Sequence, residues 1–234
     1  VFEQPCVIDG TEVYVSTSIV IASGTRDFSG SEELLRNADL AMYLAKNNGK
    51  GKYVVFEPQM HEALMERIEL EVDLRRGIDE KEFTLHYQPI FDLHSGRIVG
   101  LEALVRWQHP RFGLLSPMKF IPLAEETNLI VPLGEWILRE ACRQVQHWRQ
   151  IHEDLRDVSV TVNISIRQFM KKELVNIVST ALKSSGLPPQ SLILEITESF
   201  MLQDTEATII KLHDLKDLGV RLAIDDFGTG YSSL

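Results

Sequence analysis

Short stretches of this chain alternate apolar and polar residues with period two, and between them apolar positions recur at helical spacing. In 98–107, Val99, Leu101, Ala103, Val105 and Trp107 share one face, and Glu102, Leu104 and Arg106 share the other. In 158–164, Val158, Val160, Val162 and Ile164 oppose Ser159, Thr161 and Asn163. Leu192, Leu194 and Ile196 oppose Ile193, Glu195 and Thr197, and Val220, Leu222 and Ile224 oppose Arg221, Ala223 and Asp225. Each segment predicts a strand with one apolar face, suited to packing under helices, and one face carrying an oxygen ligand near its C-terminal end. The intervening stripes predict helices over 135–149, 171–184 and 205–218. The second stops before Gly186-Leu187-Pro188-Pro189 and the third ends at Gly219.

Alternation of strands and helices at these lengths predicts a mostly parallel sheet with right-handed crossovers. The first pair differs. Strands over 83–91 and 97–107 are joined by a Gly-containing turn, His94-Ser95-Gly96-Arg97, which makes them antiparallel. The expected fold is an α/β, TIM-like (β/α) barrel whose first strand is antiparallel. Such barrels build active sites at the C-terminal ends of their strands, from residues of several strands. Glu102, Asn163, Glu195 and the pair Asp225-Asp226 occupy those ends. Five barrel strands are present where about eight close a barrel. The barrel is thus expected to be truncated after five strands, with the natural protein continuing past Leu234 or a partner chain completing it.

The first 58 residues form a separate α+β piece. Residues 12–22 and 52–58 read as strands and 32–47 as a helix. Two strands and one helix cannot bury a sufficient core alone, so this piece reads as the end of another domain. The division is placed at 1–58 and 59–234. Residues 59–77 read as a charged amphipathic helix with Met60, Leu64, Ile68 and Val72 as packing positions, a linker or a cover on the barrel.

Composition narrows the class. Hydrophobic content is 44% and charged content 25%, ordinary for a globular protein. No run reaches the roughly 18 apolar residues of a membrane helix, and the first residues lack a signal-peptide pattern. Two cysteines, Cys6 and Cys142, provide no disulfide framework or Cys-based zinc site; Cys142 lies in a helix stripe and reads as a buried thiol. A cytoplasmic location fits, with an upstream membrane tether left open. The net charge of −10 argues against DNA or RNA as partner. A small phosphate ligand stays admissible, because bound cations can supply positive charge.

Several segments together resemble the EAL family of cyclic diguanylate phosphodiesterases. They are Glu102-Ala103-Leu104 within EALVRW, YQPI at 87–90, SPMKFIPLAEE at 116–126, VNIS at 162–165, LEITE at 194–198 and DDFGTGYSSL at 225–234, all in the family's order. The resemblance covers about residues 60–234. It implies metal-dependent hydrolysis of cyclic diguanylate to the linear dinucleotide in bacterial second-messenger signalling, with two Mg2+ or Mn2+ ions per site. It implies that Glu102, Asn163, Glu195 and Asp225 hold one metal, and that Asp225 bridges to a second, which Asp226 also binds. Glu102, Asp225 and Asp226 then form the catalytic set. Arg106 contacts a phosphate, and Gln88, on the YQPI strand, touches the ligand. The DFGTGYSS loop sits over the metals and links the site to a homodimer interface. The family's further Lys, Glu and Gln positions lie past residue 234.

Residues 38–58, ADLAMYLAKNNGKGKYVVFEP, resemble the end of a GGDEF diguanylate cyclase domain. The signature loop of that family is absent and Val20 stands at a usual Gly position, so no cyclase activity is assigned.

Other readings compete. A non-catalytic cyclic diguanylate receptor would use the same site. Arg106 could pair with Glu102 instead of a phosphate. Asp225-Asp226 could form a turn before Gly228, although adjacent carboxylates repel unless a cation is present. Glu198 reads equally as a surface charge. The seven histidines lack ligand spacing and read as structural or solvated.

Overall fold

The computed structural model describes residues 6–8, 11–13, 17–23, 31–47, 53–197 and 206–225. The chain divides into two compact units, residues 1–70 and 71–234. The division falls inside a helix, twelve residues past the boundary read from the order of predicted elements.

In the first unit, strands β1 (Cys6–Ile8) and β2 (Thr11–Val13) pair antiparallel. Strand β3 (Ile19–Ile21) pairs parallel with β4 (Tyr53–Val55), and helix α1 (Ser31–Asn47) packs on both. The segment expected as one strand over 12–22 thus contributes to two separate ladders. Leu40, Ala41 and Ala45 of α1 are buried, while Ile19, Ile21, Tyr53 and Val55 are exposed. His61 Nε2 lies 2.8 Å from Asn37 Oδ1, which joins the start of helix α2 (Gln59–Asp79) to α1.

The stripe expected on α2 is displaced. Ile68 and Val72 are 47% and 71% exposed, and the buried positions are Leu70, Asp73, Leu74 and Gly77. Bulk explains the choice at Gly77, because a Cβ there would lie 2.9 Å from both the Trp107 indole nitrogen and Glu82 Oε2. The helix approaches the Trp107 edge where it carries no side chain.

The second unit is built on one sheet. Strands β5 (Phe83–Phe91) and β6 (Ile98–His109) form the expected antiparallel hairpin. Its turn is held by Ser95, whose backbone N–H and hydroxyl both donate to Asp92 Oδ1 at 2.7 Å. Those bonds, the hydroxyl's first, hold the Asp92 carboxyl below its ordinary range. A short strand β7 (Gly113–Leu115) returns along the end of β6; its three residues carry no readable alternation. Strands β8 (Ser159–Asn163), β9 (Leu192–Thr197) and β10 (Arg221–Asp225) follow in parallel, in the spatial order β10-β9-β8-β6-β5.

Helices α3 (Pro117–Glu126), α4 (Ile130–Ile151), α5 (Ile166–Phe169), α6 (Leu174–Ser185) and α7 (Glu206–Asp217) make the connections. Helix α4 packs on β5, β6 and β8, and α6 packs on α4. The core lies between them and includes Leu133, Leu138, Cys142, Val160, Val162, Leu192 and Leu194. Cys142 is fully buried, as its stripe predicted, and burial pushes its thiol pKa up to about 12. An aromatic cluster closes one end, with Phe83 stacked on Trp107 at 5.2 Å and Phe120 edge-on to Trp107 at 5.7 Å. The Trp107 N–H donates to Glu82 Oε2 at 2.8 Å. Arg149 of α4 donates to the Val158 carbonyl at 2.7 Å and to Ser191 Oγ at 2.8 Å, tying the entries of β8 and β9 together. Helix α6 ends at Gly186 with φ +71°, a left-handed position that suits glycine. Among the described residues, no helix is long and apolar enough to cross a membrane.

Candidate functional site

Register decides which side chains meet. Across the hairpin Gln88 lies opposite Glu102, and across the parallel pair Glu102 lies beside Thr161. Thr161 and Asn163 are two residues apart on β8, so both point to the side of Glu102. Asn163 lies beside Glu195, and Glu195 beside Ala223, two residues before Asp225. Glu102, Asn163, Glu195 and Asp225 therefore share one face of the sheet, with Gln88 and Arg106. The opposite face carries buried Leu101, Ala103, Val105, Val160, Val162, Leu192 and Leu194, which press against the helices. Period-two patterning thus puts the apolar set in the buried core and leaves the oxygen donors facing outward from it.

The donors step two residues along the strands from β6 to β8 and from β9 to β10, and lie level between β8 and β9. Glu102 and Asn163 are in direct contact: the Asn163 amide Nδ2 donates to Glu102 Oε1 at 3.0 Å. Glu102, Arg106, Glu195 and Asp225 are half-buried, whereas Gln88 and Asn163 are exposed. Arg106 Nη1 donates to the Val105 carbonyl at 2.8 Å, a different partner from the Glu102 pairing weighed above. Among the described residues, no three Asp, Glu, His or Cys side chains lie close enough together to hold an ion. Asp226, Glu198 and the DFGTGYSS loop lie outside the described residues.

The donor chemistry fits a hard cation. Three carboxylates and one amide on a single face offer oxygen ligands, as Mg2+ and Mn2+ prefer. A half-turn of the Asn163 amide exchanges its nitrogen for its oxygen beside Glu102.

One strand end is unusually well determined. The Ile164 N–H donates to the Glu195 carbonyl at 2.8 Å, so the residue after Asn163 still belongs to the ladder with β9. Ser165 then caps α5: the Gln168 N–H donates to Ser165 Oγ at 3.2 Å, and the Ser165 N–H donates to Gln168 Oε1 at 3.1 Å. This reciprocal cap was missed, although Ser-x-x-Gln after a strand is a legible signal for it. His86, read as structural or solvated, is exposed. It lies on the same face, opposite Leu104, midway between the Gln88–Glu102 and Thr84–Arg106 pairs. Period two from Gln88 would have placed it there.

This fold, a β/α sheet with an antiparallel first strand and oxygen donors on one face, defines a class. The EAL domain model matches residues 71–234, and the chain belongs to that family. It is 45% identical over 231 residues to the bifunctional diguanylate cyclase/cyclic di-GMP phosphodiesterase MucR of Pseudomonas aeruginosa, covering 99% of this chain and 33% of that protein. It is 40% identical over 223 residues to the cyclic di-GMP phosphodiesterase PdeR of Escherichia coli, covering 95% of this chain and 33% of that one. Among solved structures, the MucR phosphodiesterase in complex with c-di-GMP superposes with a TM-score of 0.67 at 46% identity, covering 70% of this chain and 66% of that chain. The chain spans about a third of the length of these curated relatives.

Proposed function

We propose that this chain carries a phosphodiesterase module that binds cyclic di-GMP and adds water across one phosphodiester to give the linear dinucleotide. The observation that carries this reading is the Glu102–Asn163 contact, which joins two oxygen donors from separate strands on the face that Glu195 and Asp225 share. Family membership and the similarity to MucR and PdeR support it.

Glu102, Asn163, Glu195 and Asp225 would hold divalent cations, Mg2+ or Mn2+, with Asp226 completing the set. Such ions, when bound, lower the pKa of water and offset charge on a transferring phosphoryl group. The chain's own residues supply the frame. The β8–β9 ladder fixes the spacing of Asn163 and Glu195, and the hairpin sets Gln88 against Glu102. Arg106, two residues nearer the end of β6 than Leu104, presents a planar cation suited to a phosphate oxygen. A homodimer, a cytoplasmic setting and a preceding piece of a GGDEF-like domain over 1–58 belong to the same reading.

The test is to incubate the full-length protein with Mg2+ and cyclic di-GMP and follow the linear dinucleotide by chromatography. Consumption that disappears in Glu102→Ala supports the proposal. Tight binding without hydrolysis at every metal concentration would replace it with a receptor function for the same site.

A further inference from the structure

The main chain that aims Asn163 is gripped immediately downstream. Of the two residues after it, Ile164 gives its N–H to the Glu195 carbonyl and Ser165 gives its N–H to Gln168 Oε1. Gln168 is itself buried, and its side chain occupies a place that α4 leaves vacant. A Cβ on Gly134 would lie 1.8 Å from Gln168 Nε2 and 2.5 Å from its Cδ, so only glycine admits it there. The last turn of α5 is held from another side. Lys211 of α7 donates to the Phe169 carbonyl at 2.7 Å and to the Lys171 carbonyl at 3.0 Å, with its ammonium 5.3 Å from the Phe169 ring centre. Helix α5 has four residues, too few to be stable alone. Its position is imposed by these contacts, and its first turn dictates where β8 stops.

We infer that Gln168, seated on Gly134 and braced by Lys211, is a positioning residue that sets Asn163 against Glu102 in a form fit to ligate a cation. The inference rests on the metal-site reading above. Gln168 touches neither donor; it acts through Ser165 and the main chain. Partners of this kind commonly change metal affinity about 10–100-fold when removed.

The experiment measures Mn2+ affinity of the full-length protein by electron paramagnetic resonance of the free ion, without nucleotide, alongside the thermal midpoint. Gln168→Leu keeps the buried bulk and removes the acceptor; it is expected to weaken Mn2+ binding about tenfold or more. Gln168→Glu keeps an oxygen for the Ser165 N–H and is expected to stay within about threefold of the parent. Gly134→Ala, which expels the Gln168 side chain, is expected to behave like Gln168→Leu. Hydrolysis lost in Gln168→Leu should return as Mn2+ is raised. A purely structural role would lower the midpoint and leave the Mn2+ affinity of the folded protein unchanged. If Gln168→Leu does not fold, Lys211→Met reads the same helix from α7, with Lys211→Arg as its rescue. Parent-like Mn2+ affinity in the folded variant, with weakened affinity in Asn163→Ala, overturns the positioning role alone. Unchanged affinity in Asn163→Ala overturns the metal-site reading and this inference together.

Discussion

The amide of Asn163 meets the carboxylate of Glu102 at 3.0 Å across two parallel strands, although 61 residues separate them in the chain. The contact exists because Glu102 pairs with Thr161, one step below Asn163 on the same face. It makes this pair the sharpest place to perturb the site.

Asn163→Asp places two carboxylates where an amide and a carboxylate now touch, and like charges at that distance repel. The variant is expected to lose about 1 kcal/mol without metal, a fall in midpoint of about 3 °C. It should then show a larger stabilisation by Mg2+ than the parent. Differential scanning calorimetry with and without Mg2+ reads both effects; equal Mg2+ responses would contradict the shared site.

Arg106 lies near the C-terminal end of β6, on the donor face, and is expected to serve binding. Arg106→Ala should weaken cyclic di-GMP affinity about tenfold, a loss of about 1.4 kcal/mol, and leave Mn2+ affinity as it was. Calorimetric titration with each ligand separates the two. A loss of Mn2+ binding would assign Arg106 to the metal frame.

Glu82 accepts the indole N–H of fully buried Trp107. Glu82→Ala leaves that donor without its partner and is expected to cost about 1–3 kcal/mol in urea unfolding. Gly77→Ala, which crowds the same bond, should be destabilising by a comparable amount.

Burial raises the Cys142 thiol from 9.0 to about 12, so the folded state holds that proton more tightly than the unfolded chain. The stability this contributes is full below pH 9.0 and is lost as pH rises toward about 12. The Tyr87 hydroxyl, also raised chiefly by desolvation, adds loss in the same direction above its ordinary value of 10.0. Urea midpoints should therefore decline on the alkaline side, and iodoacetamide should leave Cys142 unlabelled in native protein at pH 8. Rapid labelling there would show that the α4 core opens.

Much of the layout could be read in one dimension. Alternation marked β6, β8, β9 and β10, and the same alternation put Glu102, Asn163, Glu195 and Asp225 on the face opposite the apolar residues of those strands. The failures have local causes. The α2 stripe was misplaced because several spacings fit a charged amphipathic helix, and the choice was made by Glu82, just past the helix, and Trp107 on β6. Strand β7 is too short to show a period. On β10 the apolar residues are less enclosed than their pattern implied, with Ile224 45% exposed, because burial depends on what covers a strand as well as on its own composition.

Periodicity and strand-end chemistry sufficed for the class of fold, the shared face of the donors and the residue types offered to a cation, because side-chain direction along a strand follows from the backbone alone. Register, contact and support did not. That Glu102 meets Asn163 and that Gln168 fills the place where Gly134 lacks a Cβ depend on how far each strand slides past its neighbour and which helix lies over it. Both come from packing between segments far apart in the chain, and no local pattern encodes them; the Arg106 contact with the Val105 carbonyl is to its own neighbour, and only the folded side chain shows it.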